Sequence, residues 1–182
     1  MKIESESADP SSAPPAFDMV AVARGQTQDA DGDFATSLHR VALWPTKWRA
    51  YVEAAALNWR VHRLSAAERP AVPTDEGVYT LLVQPGLAGH PAASFLMYVG
   101  KANNLRRRFG DYLQAERRQN ARPKIYRRLI RYSDHLWFCC APLPGASDQL
   151  LRTVEDGLLV AYVPAWNDQL PAEISGIVKA FR

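Results

Sequence analysis

Within residues 77–109 the chain sets two tyrosines, a lysine and a row of arginines where short apolar runs can gather them around one small cleft. Tyr79 ends the tripeptide Gly77-Val78-Tyr79 and Tyr98 opens Tyr98-Val99-Gly100, so each phenol stands two residues from a glycine. Lys101 follows, then Asn103, Asn104 and the run Arg106, Arg107, Arg108. A phenol can hold or relay a proton, an ammonium is a point charge, and a guanidinium can grip two oxygens of one phosphate. The set suits chemistry at an anionic oxygen centre.

Two further positions carry chemical weight. At about 100° per residue in a helix over 148–162, Leu151, Val154, Leu158, Leu159 and Tyr162 form an apolar arc with Glu155 in its middle. A carboxylate there must be paired, hydrogen-bonded or bound to a cation. Pairing with one of the many arginines and ligation of a hard divalent ion are both open. Arg108 and Tyr112, four positions apart, lie side by side on their helix. Arg108 flanks the apolar stripe of Leu105, Phe109 and Leu113, where it can clamp a phosphate or pair with Glu155.

The elements that must position these residues follow from the hydrophobic pattern. Residues 78–83 and 95–99 read as antiparallel strands, and 135–143 as a dense apolar strand central to a small sheet. Helices are expected from about 103 to 116, capped by Asn103 or Asn104, from 123 to 131, and from 148 to 162, closed by Pro164. Upstream, Trp44, Trp48, Tyr51, Trp59 and His62 recur at helical spacing, which predicts a helix over 45–64 with Pro45 near its start and tryptophans anchoring it. His62 reads as a packed histidine and His90 as a surface one. The adjacent Cys139 and Cys140 read as buried thiols. Residues 1–36 read as a flexible acidic arm in which only 17–23 has strand character, 37–74 as a helical extension with a connector, 75–168 as the main domain and 169–182 as a tail.

The 182-residue chain carries a formal net charge of +3, which conceals a steep asymmetry. Residues 1–36 hold two basic against seven acidic side chains, and residues 101–132 hold eleven basic against two acidic. Arg106, Arg107, Arg117, Arg118, Arg122, Lys124, Arg127, Arg128 and Arg131 make a density that suggests a polyanionic partner, DNA above all. No apolar run is long enough for a membrane span and the N-terminus lacks a secretory core, so a cytoplasmic protein is expected.

Taken in order, these motifs resemble the GIY-YIG nuclease family. Gly77-Val78-Tyr79 and Tyr98-Val99-Gly100 are similar to its two signature tripeptides, and Arg108 stands ten positions after Tyr98, where the family carries an essential arginine. Tyr112 stands one turn later, where members carry tyrosine or histidine. Glu155 and Asn167 are twelve apart, closing with Pro164-Ala165-Trp166-Asn167, as in the incision subunit of bacterial nucleotide-excision repair. Tyr79 and Tyr98 are 19 apart, wider than in compact members, so residues 84–94 read as an insertion that need not move either tyrosine.

The resemblance implies an α+β fold with a small central mixed three-stranded sheet flanked by helices, and metal-dependent hydrolysis of DNA phosphodiester bonds. It implies Mg²⁺ or Mn²⁺ on Glu155, Arg108 on the phosphoryl group, and Tyr79 as general base assisted by Lys101. Tyr98 and Tyr112 would orient phosphate or water, with Gly77, Gly100 and Asn167 in support. A homodimer would serve paired cuts. The rivals are a nucleic-acid-binding module without turnover and a protein-interaction domain centred on the tryptophans.

Overall fold

The computed structural model describes residues 38–51, 56–84, 94–118 and 123–180. The expected strand at 17–23, the loop with His90, and Arg122 lie outside the described residues. The chain divides into units 1–39 and 40–182, and every element with described bounds belongs to the second.

Four strands, β1 (Arg60–Arg63), β2 (Gly77–Val83), β3 (Phe95–Ala102) and β4 (Leu136–Pro142), form one sheet in the order β1-β4-β2-β3. All three neighbouring pairs are antiparallel. The expected mixed three-stranded sheet is thus corrected in strand number and in direction, while the α+β character holds. The fourth strand comes from inside the segment expected to be helical. Only His62 of β1 is buried, and Arg60, Val61 and Arg63 are exposed, so its two-residue alternation has a single inward member. The three- and four-residue spacing of the surrounding aromatics hides it. What makes it a strand is its partner: β4 is buried along most of its length, and its backbone groups need a neighbour on each side. The helix expected over 45–64 is reduced to α1 (Pro45–Ala50), with Pro45 in its first turn and Tyr51 at its end.

Helices cover both faces of the sheet. On one lie α2 (Leu105–Leu113), the short α3 (Ala115–Arg118) and α4 (Pro123–Arg131), whose Leu105, Phe109, Tyr112, Ile125, Tyr126 and Leu129 pack on Tyr79, Leu81, Phe138 and Cys140. On the other lies α5 (Asp148–Tyr162), whose Leu158 and Leu159 pack on Val78, Val99 and Ala141, with Tyr51 and Trp59 at the margin. A final helix, α6 (Ala172–Ala180), buries Ile174. Both cores are built from alternate residues of the same strands, because successive side chains point to opposite faces.

The helix ends hold the site in place. Asn104 caps α2, its Oδ1 accepting from Arg107 N at 2.7 Å. The N–H groups of Leu105 and Arg106 donate to the carbonyls of Asp75 and Pro73, so the start of α2 is tied to the connector before β2. Ser147 caps α5 by accepting from Leu150 N at 3.2 Å. Val163 ends α5 in the left-handed region at φ 44°, costly for a β-branched residue, and Pro164 prevents continuation. The chain then runs along the outer edge of β3. Trp166 N donates to the Met97 carbonyl at 2.8 Å, and the Asn167 side-chain amide pairs with both backbone groups of Val99 at 2.9 Å each. An edge that would otherwise present unpaired donors and acceptors is closed.

Candidate functional site

Register brings the two glycine-tyrosine tripeptides together. Tyr79 lies opposite Gly100 on one side and Cys140 on the other. A Cβ on Gly100 would stand 2.6 Å from the Tyr79 hydroxyl, so the phenol crosses the β3 backbone only because that residue has no side chain. Gly77 answers a similar need, since a Cβ there would lie 2.3 Å from the Ala141 carbonyl oxygen. Tyr98, paired with Leu81 two positions from the Tyr79–Gly100 pair, shares the face of Tyr79, with ring centroids 6.2 Å apart.

Tyr79 and Tyr112 share a hydrogen bond of 2.7 Å between their hydroxyls. Phe138 stacks on Tyr79 with centroids 5.0 Å apart, and Tyr126 meets Tyr112 edge-on at 6.4 Å. Burial pushes the Tyr79 phenol well above its ordinary range, reinforced by Tyr112 and Tyr98, and the Arg108 charge only partly offsets this. Burial raises Tyr112 as well. Both phenols therefore rest protonated. Burial works against the charge of Arg108, but a guanidinium stays ionised in proteins, and the Asp111 carboxylate beside it supports that charge. Its Nη1 lies 3.8 Å from Asp111 Oδ2 in its own helix, which answers the open question of pairing with Glu155. Among the described residues, Arg108 Nε is buried with no hydrogen-bond partner.

Glu155 approaches from the opposite layer, on α5. It lines a cleft of about 740 Å³ together with Tyr98, Lys124, Asp156, Trp166 and Asn167. Burial holds its carboxyl above the usual range, opposed by the Lys101 charge and a backbone hydrogen bond from Lys101. Tyr98 belongs to both places, as it touches the phenol cluster on one side and walls the Glu155 cleft on the other. Lys101 Nζ is engaged by the Asp148 carboxylate, which also accepts from Arg152 Nε at 2.7 Å. These contacts hold Asp148 below the usual carboxylate range. The cation expected to assist Tyr79 thus faces the start of α5. Asn167 serves as the edge clamp described above, which agrees with a bracing role.

The expected DNA-contacting cations divide. Arg106 donates to the carbonyls of Val72 and Pro70 at 2.7 and 2.9 Å, tying α2 to the connector. Arg128 donates to the Trp166 carbonyl at 3.1 Å and lies over that indole. Lys124 pairs with Asp168 at 3.2 Å on the cleft rim and is largely exposed. Arg107, Arg117, Arg127 and Arg131 are exposed, and the side chain of Arg118 lies outside the described residues. Asp156 in the cleft wall carried no signal in the sequence, and Lys124 was expected only among the cations beside the site. Trp166 was visible only as the neighbour of Asn167.

Among the described residues no three His, Cys, Asp or Glu side chains converge. Glu155 nonetheless offers a hard, half-buried oxygen donor facing a roomy cleft of mixed polar and apolar lining, with Asp156 beside it. That suits a hydrated Mg²⁺, which keeps several waters and takes one or two carboxylates. Cys139 and Cys140 are free and buried, and burial pushes their thiols up to about 11 and about 12, so neither is a ready nucleophile. No helix among the described residues is long and apolar enough to cross a membrane. No protein-family model, curated protein or solved structure matches this chain, so its cleft has to be interpreted from its own residues.

Proposed function

We propose that the chain is a metal-dependent endonuclease that hydrolyses DNA phosphodiester bonds. One observation carries this: a half-buried guanidinium with an unpaired Nε belongs to a phenol cluster that adjoins, through Tyr98, the cleft walled by Glu155. Arg108 donates to a non-bridging phosphate oxygen and stabilises charge that grows there, in surroundings dry enough to strengthen the interaction. The Tyr79–Tyr112 hydroxyl pair packs beside it and limits its freedom to move. Tyr98 orients a phosphate oxygen or the attacking water through its hydroxyl. Glu155 would hold the cation, with Asp156 alongside. When bound, Mg²⁺ or Mn²⁺ supplies Lewis acidity and makes a bound water more acidic. Because Tyr79 rests protonated, its part is to orient and relay, and the phenolate base suggested by resemblance is not adopted. Lys124 on the cleft wall and the exposed Arg127 of the same helix hold backbone phosphates, which positions DNA without reading its sequence.

A second reading, a nucleic-acid-binding module without turnover, is favoured by one feature. The phenols are neutral and Lys101 is engaged by Asp148, so no general base stands ready. One experiment separates the two. Supercoiled plasmid and branched DNA are incubated with the protein in Mg²⁺ or chelator, alongside Glu155→Gln. Cleavage that needs the metal and disappears in Glu155→Gln, with DNA binding retained, supports the endonuclease. Salt-sensitive binding with no metal-dependent product supports the binding module.

A further inference from the structure

We infer that Tyr51, from outside the sheet and its covering helices, is a positioning residue for Glu155. Its hydroxyl donates to the Val154 carbonyl at 3.1 Å, which is the carbonyl of the peptide bond whose nitrogen belongs to Glu155. Its ring lies directly on α5: a Cβ on Gly157 would come within 2.3 Å of Cε2 and 2.7 Å of Cζ. Glycine inside a helix destabilises it by about 1 kcal/mol relative to alanine, so its presence at 157 marks a close approach. Ring and hydroxyl thus grip α5 on both sides of Glu155, at positions 154 and 157.

The grip has a fixed base. Tyr51 caps the end of α1, Lys47 of that helix pairs with Glu173 of α6, and the Lys47 ammonium lies 5.4 Å from the Trp44 ring centroid. The helix that carries Glu155 is therefore held against the sheet by Leu158 and Leu159 and braced from outside by α1. A carboxylate that takes part in metal binding must be held to within a fraction of an ångström, and neighbours that lock its backbone supply that precision. The consequence for catalysis rests on the endonuclease reading. The mechanical coupling of Tyr51 to the 154–158 turn does not.

The test uses the full chain and two variants. Tyr51→Phe keeps the ring on Gly157 and removes only the hydroxyl, and Gly157→Ala displaces the ring. Mn²⁺ affinity is read by electron paramagnetic resonance without DNA, cleavage kinetics are read with DNA, and amide hydrogen exchange is followed along α5. Tyr51→Phe is expected to weaken Mn²⁺ binding and to lower kcat by about fivefold, with KM for DNA unchanged, as loss of one hydrogen bond permits. Exchange should quicken at residues 155–158 and not at 148–151, with a melting temperature close to that of the parent. A purely structural tyrosine would lower melting and leave kcat and Mn²⁺ affinity alone, and that result would overturn the inference. If the parent chain neither binds Mn²⁺ nor cuts DNA, the endonuclease reading falls. Exchange then decides the coupling: faster exchange confined to 155–158 in Tyr51→Phe sustains it, and an unchanged profile overturns it.

Discussion

The two faces of the sheet meet at β3 with opposite electrostatic characters. On the α2 side, Tyr79, Tyr112 and Arg108 form a dry, stacked cluster in which burial keeps the phenols neutral while the guanidinium stays charged beside Asp111. On the α5 side, Glu155 and Asp156 line an open cleft whose facing wall includes Lys124 of α4, and Lys101 pairs with an exposed Asp148. The first is preorganised and insensitive to physiological pH. The second can titrate, exchange partners and admit a hydrated ion. A site for phosphoryl chemistry profits from both: fixed donors where charge develops, and a wet, adjustable side for water and metal.

The sharpest way to break this contrast is to empty the dry side. Arg108→Ala should lower kcat/KM for cleavage about a hundredfold or more, in the range seen when a preorganised donor is lost. Arg108→Lys should restore little of it, because an ammonium cannot reproduce the planar fork. Activity of Arg108→Ala within a few-fold of the parent would show that the phenol cluster is mere core.

A smaller effect is expected where the tripeptides cross. Gly100→Ala forces a methyl group toward the Tyr79 hydroxyl and should destabilise the fold by about 1–3 kcal/mol in denaturant unfolding. Full stability would mean that the ring can step aside at no penalty.

Next comes the hydroxyl pair. Tyr79→Phe or Tyr112→Phe alone strands one buried hydroxyl and should lose about 1–2 kcal/mol. The double variant should lose less than the sum of the two, since no orphan remains. Strict additivity would remove the hydrogen bond from the account.

The smallest effect sits on the wet side and depends on pH. The fold holds Glu155 above the ordinary carboxyl range, so the native state favours its protonated form. That contribution is fully present below the unfolded pKa, about 4.3, and is lost as pH rises through the folded value. Glu155→Gln should therefore melt slightly higher than the parent at pH 7, with the difference closing as pH falls below about 4. A variant that melts lower at pH 7 would mean that the ionised carboxylate is held by a partner.

Much of this site could be read along the chain because its parts are local. The cap at Asn104, the bounds of α4 and α5, the hairpin of β2 and β3, and the adjacency of Arg108 and Tyr112 all depend on neighbours within a few residues. Glu155 stood out for the same reason, as one carboxylate on a regular apolar arc. β1 did not stand out, since a four-residue strand with one inward side chain has almost no pattern of its own.

By itself, the sequence determined the candidate residues and, for most of them, the element on which each rides, because spacing within a helix or strand fixes direction. Only the tertiary structure decided who meets whom. It turned Arg106 to the carbonyls of residues 70 and 72, Lys101 to Asp148, and the hydroxyl of Tyr51 to the backbone beside Glu155. It also fixed the proton on Tyr79. Partners and protonation depend on how deeply a group is buried and on which distant element closes over it, and neither quantity is written in the local order of residues.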